Sequence, residues 1–230
     1  MGTAELDDTG AYTSDMAGLY ASVSYTRNYS HTKWQAIQLP FEMDYDDWKD
    51  DFIVARINTV HVKGESAALE VVTLKTGKLK ANTPYMIKPK TPGVKTLTAE
   101  NVTLGLAQNG VIDCSSMDYI FTITGNYAPV TDMMSKGYYA MSNGALKQAL
   151  NDDSSLSPYR WYMEITSRDD EYYAPRMIAI EEIGEETVTG IRYYSTDVRR
   201  MKTTTYDLSG RETKSDSRGL YIIDGKKILK

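Results

Sequence analysis

The sequence predicts an all-β protein: a β-sandwich, with a β-barrel as the alternative, followed by a small C-terminal β-meander. Three observations carry this reading. The 230 residues hold 18 Tyr against 3 Phe and 3 Trp, and tyrosine, an apolar ring with a polar tip, suits a pleated sheet whose faces are half wet. Short β-branched and aromatic runs alternate with turn residues along most of the chain, the pattern of sandwiches and barrels. Asn143-Gly144 and Asp224-Gly225 each separate two such runs, and a tight type I′ hairpin needs the positive φ that Asn, Asp and Gly tolerate.

Residues 1–24 are rich in Asp, Thr, Gly and Ser with weak periodicity and read as an irregular, loosely held leader or an irregular first strand. A main β domain is expected over 25–183. It opens with strands at 25–29 and 34–41, where Pro40 confines the second to an edge or stops it. Within 42–51, Tyr45, Trp48 and Phe52 stand three and four apart, the spacing of a short helix with one apolar stripe. Strands follow at 52–60 and 68–74 around a turn at 63–65, then a turn at Thr76-Gly77 and a strand at 85–88 between Pro84 and Pro89. Tyr119, Phe121 and Ile123 share one strand face. Tyr159, Trp161, Met163 and Ile165 share another, with Arg160, Tyr162, Glu164 and Thr166 opposite. Strands at 138–142 and 145–147 flank Asn143-Gly144, and 177–180 adds one more. Residues 184–202, which open on a Glu-, Gly- and Thr-rich stretch, read as a linker. Residues 203–230 read as the meander, which has too few strands to bury a core alone.

Charge and motif content narrow the function classes. The net charge is −5, and no long Lys/Arg run stands outside Lys226, Lys227 and Lys230, so no nucleic-acid partner is expected. No run approaches the roughly 18 apolar residues of a membrane span, and the start lacks the basic and apolar regions of a signal peptide, which an exported form is expected to have lost. Cys114 has no cysteine to pair with, and with only His31 and His61 beside it no zinc cluster is formed. No phosphate loop or dinucleotide fingerprint is present, so no cofactor is expected. No nucleophile elbow appears either, and both histidines read as structural. The expectation is a non-catalytic protein. Asp44, Asp46 and Asp47 are weak calcium candidates, because Lys49 stands where an EF-hand loop needs Gly and Ala55 occupies its twelfth position. A solvated acidic turn is the default.

Four residues are ligand-binding candidates: Tyr162 and Glu164 on one strand, Tyr138 and Tyr139 on another. Aromatic rings beside a carboxylate stack on the C–H faces of a sugar while polar tips take its hydroxyls. Trp161, on the alternate face, is assigned to the core.

Tyr206-Asp207-Leu208-Ser209-Gly210-Arg211, with Gly219-Leu220-Tyr221-Ile222-Ile223-Asp224-Gly225-Lys226-Lys227, resembles the sorting-type C-terminal tail of many exported and surface proteins of the Bacteroidetes. A looser similarity to an uncharacterised β module found before such tails runs through Tyr25-Thr26-Arg27, Trp34-Gln35-Ala36, Leu39-Pro40-Phe41, residues 81–87 and Gly137-Tyr138-Tyr139. The resemblance implies an extracellular or cell-surface location and supplies no activity. The expected function is a secreted or surface binding or adhesion module whose partner is a glycan or a host surface protein. The alternatives are a structural spacer or terminal domain of a larger surface protein, and a glycan-degrading hydrolase with an unrecognised carboxylate pair.

Overall fold

The computed structural model describes residues 2–63, 66–114, 116, 118–168 and 174–187, with four further strands between 205 and 229. The chain divides into two compact units, Met1–Tyr194 and Ser195–Lys230. The first contains β1 (Thr3–Asp7), β2 (Gly18–Tyr29), β3 (Gln35–Ile37), β4 (Met43–Asp44), β5 (Phe52–Lys63), β6 (Ser66–Thr76), β7 (Lys78–Leu79) and β8 (Tyr85–Pro89). It continues with β9 (Gly93–Leu104), β10 (Val111–Asp113), β11 (Tyr119–Asn126), β12 (Tyr139–Ser142), β13 (Ala145–Gln148), β14 (Arg160–Ser167) and β15 (Met177–Thr187). The second contains β16 (Thr205–Tyr206), β17 (Glu212–Thr213), β18 (Leu220–Ile223) and β19 (Lys226–Leu229). These four pair antiparallel in the order β17-β16-β18-β19, while the expected Asp224-Gly225 turn lies outside the described residues.

The fold is all-β with mixed sheets. One large sheet runs β10-β11-β14-β12-β13-β15-β6-β5-β8-β3, antiparallel except where β15 lies parallel to β6. It curls until its last strand, β3, comes back against β12 and β14 without backbone pairing, an open half-barrel rather than the expected sandwich or a closed barrel. A second sheet, β1-β2-β9, combines an antiparallel β2–β9 pair with a parallel β1.

The reason lies in strands that are apolar on both faces. On β3, β5 and β8, Ala36, Ala55, Ile57 and Met86 point into the curl, where they meet Phe121, Trp161 and Met163. Their neighbours Ile37, Phe52, Val54 and Ile87 point outward and are covered by Val23, Tyr25, Tyr29 and Leu97 of the second sheet. Side chains alternate with period two, so a strand of this composition needs cover on both sides.

The N-terminal segment holds a strand rather than a loose leader. Residues 3–7 form β1, Leu6 and Tyr12 are buried, and Asp8 ties the segment to both sheets. Both Asp8 oxygens accept from Arg160 at 2.8 and 2.7 Å, and one accepts from the Tyr25 hydroxyl at 2.6 Å. Arg27, 6% exposed, lies 3.7 Å from the same carboxylate and donates to the Ala36 carbonyl. Two guanidiniums thus share one carboxylate at the seam between the sheets.

Local signals resolve in several ways. Asn143 and Gly144 have φ of 52° and 84° and join β12 to β13, as the hairpin cue requires. Tyr45, Trp48 and Phe52 are all buried as their spacing predicts, but not on one α-helix: Tyr45 opens a single 3-10 turn, Tyr45–Asp47, Trp48 caps it, and Phe52 begins β5. The expected linker overlaps β15, whose pairing with β6 continues through Thr187. Gly125 is required by close approach: a methyl there would collide with the amide of fully buried Gln38, which accepts from Gly110 N–H at 3.1 Å.

Asp8→Ala leaves two guanidiniums without their carboxylate and is expected to cost about 3 kcal/mol, read from urea unfolding. Burial raises the Asp8 carboxyl, but hydrogen bonds and charge from Arg160, with Tyr25 and Arg27, outweigh it and hold it below the ordinary 3.8. Its contribution is therefore present above that value and lost as pH falls below it. The wild-type advantage over the variant should shrink over that acid range; a constant difference would exclude the linkage.

Candidate functional site

The alternation of β14 sorts its side chains. Trp161 and Met163, opposite Gly125 and Ile123 of β11, are fully buried inside the curl. Tyr162 and Glu164, opposite Thr124 and Thr122, therefore take the outer face, where both are half-buried. β12 joins β14 with Tyr139 opposite Met163, so Tyr139 belongs to the interior and is 1% exposed. Tyr138, one residue earlier, lies on the outside beside Glu164.

The rings of Tyr138 and Tyr162 stack with centroids 4.3 Å apart and planes 22° from parallel, within the reach of a diagonal cross-strand pair. Lys136 places its Nζ 5.7 Å from the Tyr138 ring centroid. Burial pushes the Tyr138 phenol up to about 12, with Tyr162 and Glu164 adding to the rise, so the hydroxyl stays protonated and able to donate at neutral pH. Next to Glu164, Thr122 donates to Asp113 of β10 at 3.2 Å.

The structure thus brings three of the four sequence candidates, Tyr138, Tyr162 and Glu164, onto one open sheet face. Tyr139 is removed from that surface by the same alternation that exposes Tyr138: of two adjacent residues on a strand, one faces the core. Lys136 was missed by sequence reasoning, because it lies on the 131–137 connection and its approach to Tyr138 depends on how that loop folds back.

The acidic candidates are engaged in local structure. Asp44 accepts from Asp46 N–H at 3.1 Å at the start of the 3-10 turn. Asp46 accepts from Lys49 Nζ at 2.8 Å and from Thr76 and Gly77, and these contacts, the Lys49 hydrogen bond foremost, hold its carboxyl down at about 2. Asp47 lines an open cleft with Glu42 and Glu100. Among the described residues no group of three or more His, Cys, Asp or Glu side chains is placed to hold a metal ion. His31 takes a backbone N–H from Lys33 at 3.3 Å, and His61 is exposed on β5. No described helix is long and apolar enough to cross a membrane.

No protein-family model, curated protein or solved structure matches the chain.

Glu164→Gln removes the negative charge beside Tyr138 and is expected to lower that phenol from about 12. A tyrosinate difference titration of E164Q against E164Q/Y138F isolates the group. A Tyr138 value that does not move would show that Glu164 lies too far from the phenol to act on it.

Proposed function

We propose that the chain is a non-catalytic binding module, extracellular or at the cell surface, that recognises a glycan through the outer face of β12 and β14. The observation that carries this reading is the stacked Tyr138–Tyr162 pair beside Glu164, all three half-buried on the outer face of the sheet. An aromatic surface accepts the C–H face of a pyranose, and the adjacent phenols and carboxylate exchange hydrogen bonds with its hydroxyls. Lys136 and Asp113 add a donor and an acceptor at the margins. The tail's resemblance to surface proteins of the Bacteroidetes supports the location.

The face is open, so each contact with a single sugar is weak. Ring contacts contribute on the order of 0.5–1.5 kcal/mol, and useful avidity comes from repeated presentation of module or glycan. A glycan-array screen of the folded protein beside Tyr162→Ala tests the reading. Specific binding is expected to fall about tenfold in the variant, whose thermal unfolding should stay near that of the parent because Tyr162 lies outside the core. Binding that survives the substitution would remove this face from consideration, and a silent array would sink the glycan reading.

A further inference from the structure

The second sheet ends in β9, twelve residues long and paired only with β2. Its far edge has no strand partner among the described residues, and such an edge offers a row of unpaired N–H and C=O groups. The segment 40–52 runs alongside this edge without pairing to it. The two are joined at either end: Gly105 N–H donates to the Pro40 carbonyl at 2.9 Å, and Lys90 N–H to the Asp51 carbonyl at 2.8 Å.

Between these ties the molecule is open. A cleft of about 410 Å³ lies between residues 99–103 of β9 and Glu42, Asp44 and Asp47. A smaller one, about 200 Å³, lies between residues 94–98 and Asp47 and Asp51, and Asp47 borders both. The far wall of the larger cleft includes β4, which pairs only with β7. Two strands without partners on one side thus border one slot.

Simple shielding of an edge would close the wall onto it; here the wall stands off. The slot is also acidic. Glu42 is paired with Lys78 at 2.9 Å and Asp51 with Lys95 at 2.5 Å, whereas Asp47 and Glu100 are exposed and carry no ion pair among the described residues.

We propose that this slot binds an extended, basic polypeptide by strand addition to β9, its backbone pairing with the free edge and its Lys or Arg side chains meeting Asp47 and Glu100. Main-chain pairing supplies affinity and alternate side chains supply selectivity in this mode of recognition. The site is separate from the tyrosine face of β12 and β14, and either can fail without the other.

The test uses the full chain and a synthetic peptide of about eight residues, the length of an ordinary strand, alternating lysine with valine. Calorimetric titration should show binding that weakens as salt rises. The same peptide methylated on alternate backbone amides should not bind. Asp47→Asn combined with Glu100→Gln should weaken binding about tenfold, and because both residues are exposed the double variant should unfold at the parent temperature. Equal binding of the methylated peptide, or of a version with glutamate for lysine, overturns the proposal. So does the absence of binding at millimolar peptide, or peptide-independent self-association through β9 that blocks the slot.

Discussion

The double-sided burial of β3, β5 and β8 is the constraint on which the rest of the first unit depends. A strand with Ile37 on one face and Ala36 on the other, or Val54 beside Ala55, has no face to give to water. Burial of each large aliphatic side chain contributes on the order of 1.5–3 kcal/mol, so leaving either face bare would forfeit several such terms. The curl of the large sheet covers the inner face with its own far strands. The β1-β2-β9 sheet covers the outer one. Small residues at Ala36 and Ala55 let Trp161 fill the interior, where its own buried indole N–H is paired by donating to the Tyr85 carbonyl at 2.8 Å.

Two positive side chains complicate this seam. Arg27 and Arg160 are both largely buried, and a guanidinium is costly to bury without a partner. The N-terminal segment supplies the carboxylate, and the chain ordering that follows explains why β1 adds to β2 in parallel: residues 3–7 must run beside 22–26 for Asp8 to reach the end of β14. Arg27 also lies 4.7 Å from the Tyr29 ring centroid, a contact that favours the charge where solvent cannot. The irregular composition of residues 1–24 hides this role, because nothing local to Asp8 marks it as the partner of Arg27 and Arg160.

What was legible follows from period and turn chemistry. The Asn143-Gly144 hairpin, the faces of β11 and β14, and the assignment of Trp161 to the core and Tyr162 to the surface all come from local rules that tertiary packing had no cause to override. The tyrosine surplus was less transparent. Tyr12, Tyr25, Tyr45 and Tyr127 are buried with their hydroxyls bonded to the Gly105 carbonyl, Asp8, the Phe52 carbonyl and Asn82. They are core residues with satisfied tips, not the half-wet surface that composition alone implied, and only placement distinguishes the two uses of the same side chain. The curl was likewise invisible, since β3 meets β14 through residues more than a hundred positions apart.

The same packing logic decides which surfaces remain for binding. Covering both sides of β3, β5 and β8 uses the inner face of the second sheet, and closing the curl uses the inner face of the large one. Among the surfaces left over are the outer face of β12 and β14, with its stacked tyrosines, and the far edge of β9, which no described strand pairs. The first is a surface of rings and hydroxyls; the second is a row of backbone groups beside carboxylates. These differ in chemistry because one is a sheet face and the other a sheet edge, and a ligand suited to one has little to gain from the other. A polar sugar has no strand to add to β9, and an extended chain finds no free edge on β12 or β14, each of which has a strand on both sides.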